Sequence, residues 1–187
     1  MDSTTASSHH GPKIGFLAAC MSTLFFVASC WDMPPADATR STMTTEELFE
    51  HLRPSDGESA VVANFWATWC RPCAAEMPEL VKLHRAFSSR GVRVVAVSID
   101  LPMPVQAETP EDVFGFADKM RFDLPVVVLE GDLGPVVERY GLSGAVPYTI
   151  VFDGDGAVAA RQEGGAAYAR FVEMLEAAAP GIGESVR

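Results

Sequence analysis

From residue 59 onward the chain alternates between β-rich apolar runs and stretches with helical spacing. Ser59–Trp66 (SAVVANFW) and Val92–Ile99 (VRVVAVSI) are nearly unbroken apolar runs, which predict buried strands. Leu124–Leu129 predicts a third strand and Tyr148–Phe152 a fourth. Asp153-Gly154-Asp155-Gly156 reads as a turn and Ala157–Glu163 as a fifth strand, so this pair predicts a hairpin. Between the strands, Cys70 to about Arg90 reads as a helix closed by Gly91. Thr109-Pro110-Glu111-Asp112 supplies a cap, a first-turn proline and first-turn acid for a helix reaching about Met120. Asp132–Tyr140 predicts a short helix and Ala166–Ala179 a closing one that stops at Pro180. Thr44-Thr45-Glu46-Glu47 is a capping box for a helix ending before Pro54. Alternation followed by a hairpin argues an α/β fold with a mixed central sheet of about five strands flanked by helices.

The N-terminal part has a different pattern. Lys13 precedes Ile14–Ser29, sixteen residues without a charge. A membrane span needs about 20 apolar residues and an export-signal core about 7–15, so the run fits an export signal better. Its end, Val27-Ala28-Ser29-Cys30, resembles the bacterial lipoprotein signal, in which the cysteine is lipidated and becomes the first residue. Leu17-Ala18-Ala19-Cys20 has the same form, but too few residues separate it from Lys13 to hold the apolar core. Cys30 is therefore the expected lipidation site, with a plain signal peptide or an uncleaved anchor as alternatives. Residues 1–29 are read as signal or anchor, 30–43 as a tether rich in Pro, Ser and Thr, with an ordered arm packed on the domain as the alternative over its last few residues, and 44–187 as the folded domain. The expected localisation is extracytoplasmic and at a membrane.

Composition changes this picture little. The 187 residues are 48% hydrophobic and 21% charged, an ordinary globular balance. The net charge of −11, without a cluster of Lys or Arg, argues against nucleic-acid partners. Four cysteines are too few for a disulfide scaffold, so their placement carries the information.

One segment holds the candidate chemistry: Asn64–Leu80, NFWATWCRPCAAEMPEL. Cys70 and Cys73 form a Cys-x-x-Cys where a strand passes into a helix. The helix start presents unpaired N–H groups and the positive end of the helix dipole. A Cys70 thiolate is stabilised there, with Arg71 adding positive charge, and its pKa is expected below the free value of about 8.5. Cys73, one turn on, is placed to close a disulfide with it. A structural zinc site needs four ligands and a second cysteine pair is missing, so no metal is expected. A peroxidase cysteine of the Pro-x-x-x-Thr-x-x-Cys kind needs Pro at 63 and Thr at 67, where Ala63 and Ala67 stand. No cofactor is expected for dithiol chemistry. Cys73, Glu76, Met77, Leu80, His84 and Phe87 share one helical face. Glu76 is thus a carboxylate on a largely apolar face beside Cys73, where desolvation raises its pKa toward neutrality. His84 reads as a surface or boundary residue, Trp66 as core, and Asn64 as a polar group that cannot titrate.

Phe65-Trp66-Ala67-Thr68-Trp69-Cys70-Arg71-Pro72-Cys73 with Glu76-Met77-Pro78 resembles the extracytoplasmic thioredoxin-like thiol–disulfide reductases of the TlpA, ResA and CcmG kind. Gly144-Ala145-Val146-Pro147-Tyr148-Thr149 adds to the likeness, which spans about residues 45–180. The resemblance implies a thioredoxin fold with a helix–strand insert between its halves, which residues 110–129 fit. It implies that Glu76 tunes the cysteines and shuttles protons. It also implies that Pro147 is a cis-proline facing the disulfide, with the Val146 backbone pairing an extended substrate segment and Trp69 flanking the thiol. Protein disulfides are the implied substrates, apocytochrome c among them, and a membrane thiol carrier is the implied electron donor. The same residues would serve a disulfide-donating oxidase, and a redox-inert binding module is the reading from another class.

Overall fold

The computed structural model describes residues 39–184. Strand β2 (Ala60–Trp66) is buried along its whole length, as its unbroken apolar run dictates. It lies between β3 (Val92–Ser98), which runs parallel to it, and β5 (Tyr148–Asp153), which runs antiparallel. β6 (Val158–Glu163) pairs antiparallel with β5, completing the expected hairpin. On the other side β4 (Val126–Leu129) continues the parallel part beyond β3.

The sheet has a sixth strand. β1 (Arg40–Met43) pairs in parallel with β4, giving the order β1-β4-β3-β2-β5-β6. Arg40–Met43, the last four residues of the expected tether, thus follow the alternative reading of an ordered arm packed on the domain. A four-residue segment, RSTM, is too short to show a period-two pattern. Its place is set by long-range contacts. β4 would otherwise expose an unpaired row of backbone groups, and the Arg40 guanidinium donates to the carbonyls of Leu124 at 2.9 Å and Phe122 at 3.1 Å.

The helices start where the caps are. In α1 (Thr45–His51) and α3 (Pro110–Lys119), reciprocal capping boxes join Thr44 to Glu47 and Thr109 to Asp112. Helix α2 (Arg71–Phe87) lays Cys73, Glu76, Met77, Leu80, His84 and Phe87 against the sheet. His84, expected at the surface or boundary, is only 6% exposed. Its position on the apolar i, i+4 row with Leu80 carries it inside. α4 (Gly134–Tyr140) and α5 (Tyr168–Ala178) complete the layers. α3 and β4 form the helix–strand unit between the two halves. Trp66 is core, in edge-on contact with Phe122. Among the described residues no helix is long and apolar enough to cross a membrane. Cys20, Cys30 and the whole apolar run before them lie outside the described residues.

Candidate active site

Parallel β2 and β3 end together, and antiparallel β5 begins at that same edge of the sheet, with Tyr148 opposite Phe65. The loop Ala67-Thr68-Trp69 leaves this edge and delivers Cys70 to the start of α2. Cys70 is the N-cap residue, and its Sγ accepts the Cys73 N–H at 3.2 Å. The Cα atoms of Cys70 and Cys73 lie 5.3 Å apart and the two sulfurs are joined as a disulfide. Cys70 keeps 5% of its surface exposed and Cys73 none, so an incoming group reaches Cys70 first. The Val146–Pro147 peptide is cis, and the Val146 carbonyl oxygen stands 3.6 Å from Cys70 Sγ. Pro147 is buried and Val146 half-buried at the start of β5. Trp69 is half-buried and packs on the core, and its indole N–H lies buried with no hydrogen-bond partner.

One turn after Cys73, Glu76 is 4% exposed. Its Oε1 accepts from Asn64 Nδ2 at 2.8 Å and its Oε2 from the Ala166 N–H at 2.9 Å. Burial pushes the Glu76 carboxyl above the usual carboxylate range, and these two hydrogen bonds only partly oppose it. Gly164, at φ +76°, turns the chain out of β6 so that the Ala166 N–H can point at the carboxylate. Helix α5 begins two residues later, at Tyr168, with Ala167 as its N-cap residue.

Two groups of residues at this edge carry no motif. Asn64 and Thr149 are register partners in β2 and β5, both buried, and Asn64 Nδ2 also donates to Thr149 Oγ1 at 2.9 Å. Asp100 follows β3, with no exposed surface. It accepts the Thr68 N–H at 3.0 Å, the Thr68 hydroxyl at 2.6 Å and the Ser98 hydroxyl at 2.8 Å. The signal that could have revealed Asp100 is its place, a carboxylate directly after an apolar strand at the edge where the cysteine loop begins. Among the described residues no group of three or more His, Cys, Asp or Glu side chains stands together to hold a metal ion.

Residues 36–161 match the AhpC/TSA family, more than half of the chain. The chain belongs to the AhpC/TSA family. Within it, the chain is 32% identical over 109 residues to a thiol-disulfide oxidoreductase ResA of Geobacillus thermodenitrificans, covering 58% of this chain and 57% of that protein. It is 31% identical over 130 residues to the ResA of Halalkalibacterium halodurans, covering 69% and 67%. The chain thus spans only 57% of the length of the first of these relatives. Among solved structures, a thiol-disulfide isomerase from Corynebacterium glutamicum matches with a TM-score of 0.57 and 26% identity, over 70% of this chain and 84% of that one. The fold of this AhpC/TSA chain is thioredoxin-like, with a mixed sheet and, among the described residues, five α-helices around it. The Pro and Thr of a peroxidase motif remain absent at positions 63 and 67, which are Ala63 and Ala67.

Proposed function

We propose that this protein is an extracytoplasmic thiol–disulfide reductase acting on protein disulfides, held at a membrane through lipid on Cys30. The observation that carries the reading is the capping of α2 by a sulfur. A Cys70 thiolate in the same place accepts the Cys73 N–H and faces the positive end of a 17-residue helix.

In the dithiol form, the Cys70 thiolate attacks one sulfur of a substrate disulfide. The Cys70–substrate S–S bond forms, the substrate's own S–S bond breaks, and the departing thiolate takes a proton from solvent. Glu76 then accepts the proton of the Cys73 thiol. The Cys73 thiolate attacks Cys70 Sγ, forming the Cys70–Cys73 disulfide and releasing the second substrate thiolate. Two electrons pass from protein to substrate in each cycle, and a membrane thiol carrier returns them. The Val146 carbonyl beside Cys70, with Trp69 flanking, offers an extended polypeptide a strand-like edge, with Pro147 presenting no N–H to compete. Similarity to proteins named thiol-disulfide oxidoreductase ResA supports protein disulfides as the substrates, and the proposal extends these to exported proteins, apocytochrome c among them.

The test is insulin-disulfide reduction in the presence of a dithiol reductant, by wild type and by Cys70→Ser. Reduction by wild type and its loss in the variant are expected. Equal, negligible rates would leave a binding module instead. A reduction potential as oxidising as about −120 mV would reverse the direction to disulfide donation. Incorporation of radiolabelled palmitate that disappears in Cys30→Ala tests the anchor.

A further inference from the structure

The hydrogen bonds around Glu76 suit only one of its two protonation states. Both oxygens face donors: Asn64 Nδ2 at 2.8 Å and the Ala166 N–H at 2.9 Å. A carboxylate is satisfied there. A carboxylic acid is not, because neither partner can accept its O–H, and Glu76 must hold a proton when it serves Cys73. Asn64 has an unused resource. Its Oδ1 is buried with no hydrogen-bond partner, while its Nδ2 serves both Glu76 and Thr149.

We propose that Asn64 is a two-way positioning residue: its amide presents Nδ2 to the Glu76 carboxylate and rotates by half a turn to present Oδ1 to the Glu76 carboxylic acid. In the rotated form Oδ1 occupies the place of Nδ2, within hydrogen-bond reach of Glu76 Oε1 and Thr149 Oγ1. It accepts the new Glu76 O–H and the Thr149 hydroxyl proton together. Thr149 suits both arrangements, since a hydroxyl both accepts and donates. The rotation creates no additional orphan. One polar atom of the amide lacks a partner in either form, Oδ1 before the rotation and Nδ2 after it, whereas protonation without rotation leaves the new Glu76 O–H with two donors as its neighbours. An aspartate at position 64 could not do this, because it would share the proton with Glu76 as a coupled acid pair.

The groups acting on the carboxyl are few. Burial, the Ala166 N–H before α5 and Asn64 of β2 set its state, Thr149 of β5 reaches it through Asn64, and Cys73 is the titratable neighbour on its own helix. The inference rests on Glu76 as the proton acceptor of the proposed reductase. The spectroscopic arm of its test is independent of turnover, because it uses the oxidised full-length protein, in which neither active-site cysteine titrates.

In that protein, the Glu76 carboxyl carbon and the Asn64 side-chain amide are followed by NMR from acid to alkaline pH. Both are expected to shift with one midpoint, and the Asn64 Hδ2 protons to lose their NOEs to Thr149 on the acid side. In Glu76→Gln the Asn64 amide signals are expected not to move. As a kinetic readout, Asn64→Ala is expected to slow the resolving step about tenfold and displace the midpoint of its pH profile, with mixed-disulfide formation little changed. An Asn64 amide that keeps its NOEs to Thr149 while Glu76 titrates would overturn the inference. So would an Asn64→Ala pH profile that superimposes on wild type. Loss of reductase activity with the amide still turning would instead overturn the proposed function alone.

Discussion

The Asp100 carboxylate lies 2.6 Å from the Thr68 hydroxyl and 3.0 Å from the Thr68 backbone N–H, two residues before Cys70. A side chain at the end of β3 thereby fixes the loop that leaves β2. The Cys70 sulfur is aimed by this tie from one side and by the start of α2 from the other. Ser98 supplies a further donor, so the buried carboxylate is held by several hydrogen bonds in place of a cation.

Removing that carboxylate leaves the Thr68 N–H and two hydroxyls facing an empty place. Asp100→Ala is expected to lower unfolding free energy by about 1–3 kcal/mol, read by urea denaturation. It is also expected to broaden the reactivity of the cysteine loop. Thr68→Val, which keeps the backbone N–H, is expected to be milder. Equal stabilities of Asp100→Ala and wild type would show that the tie does not hold the loop.

Glu76 makes a prediction of sign. Its folded pKa is raised above the ordinary value of 4.5, chiefly by burial. The folded protein therefore binds more protons than the unfolded chain between the two values. Stability falls as pH rises from the unfolded value through the folded one. Glu76→Gln does not titrate, so the stability of wild type relative to this variant is expected to decline over that window. A difference that stays constant from about pH 4 to pH 8 would contradict the raised value.

The same variant tests the chemistry. If Glu76 accepts the Cys73 proton, Glu76→Gln slows resolution of the mixed disulfide near neutral pH, by about 10²-fold for a lost general base. The first attack by Cys70 is expected to be nearly unaffected. Quenched-flow trapping of the mixed disulfide measures both steps, and an unchanged pH–rate profile would remove Glu76 from the mechanism.

The edge strand offers a comparison of two partners. Arg40 pairs with Asp118 at 2.9 Å, but the Asp118 side chain is 67% exposed while that of Arg40 is 20% exposed. An exposed ion pair contributes about 0–1 kcal/mol, whereas the carbonyls of Phe122 and Leu124 lose a charged donor with Arg40. Arg40→Ala is therefore expected to destabilise more than Asp118→Ala in thermal unfolding. The reverse order would mean that the ion pair, not the carbonyl contacts, anchors β1.

What the sequence could disclose depended on how local its cause was. The apolar runs of β2 and β3 are buried in themselves, so their residues name them as strands. The caps at Thr44 and Thr109 act over three residues, and both helices start there. The face of α2 is periodic, so Glu76 stands out as an acid on an apolar row. Arg40–Met43 has no such local cause. Its partners lie more than 80 residues away, and only the folded sheet brings them together. Asn64 illustrates the same limit within the site. Its inability to titrate is plain from its identity, but its amide meets Glu76 and Thr149 only through the register of β2 with β5 and the packing of α2. His84 reads as a boundary residue from its polar identity, but its place on the Leu80 row carries it inside.

The central claim is that Cys70 is the nucleophile, held as a thiolate by the start of α2. It is tested most directly by the pH dependence of alkylation of the reduced protein with iodoacetamide, each cysteine followed by mass spectrometry. The account expects Cys70 to react first, with an ionisation midpoint at least one unit below the free-cysteine value of about 8.5, and Cys73 to stay protected. Two thiols that ionise alike, near that free value, would contradict it.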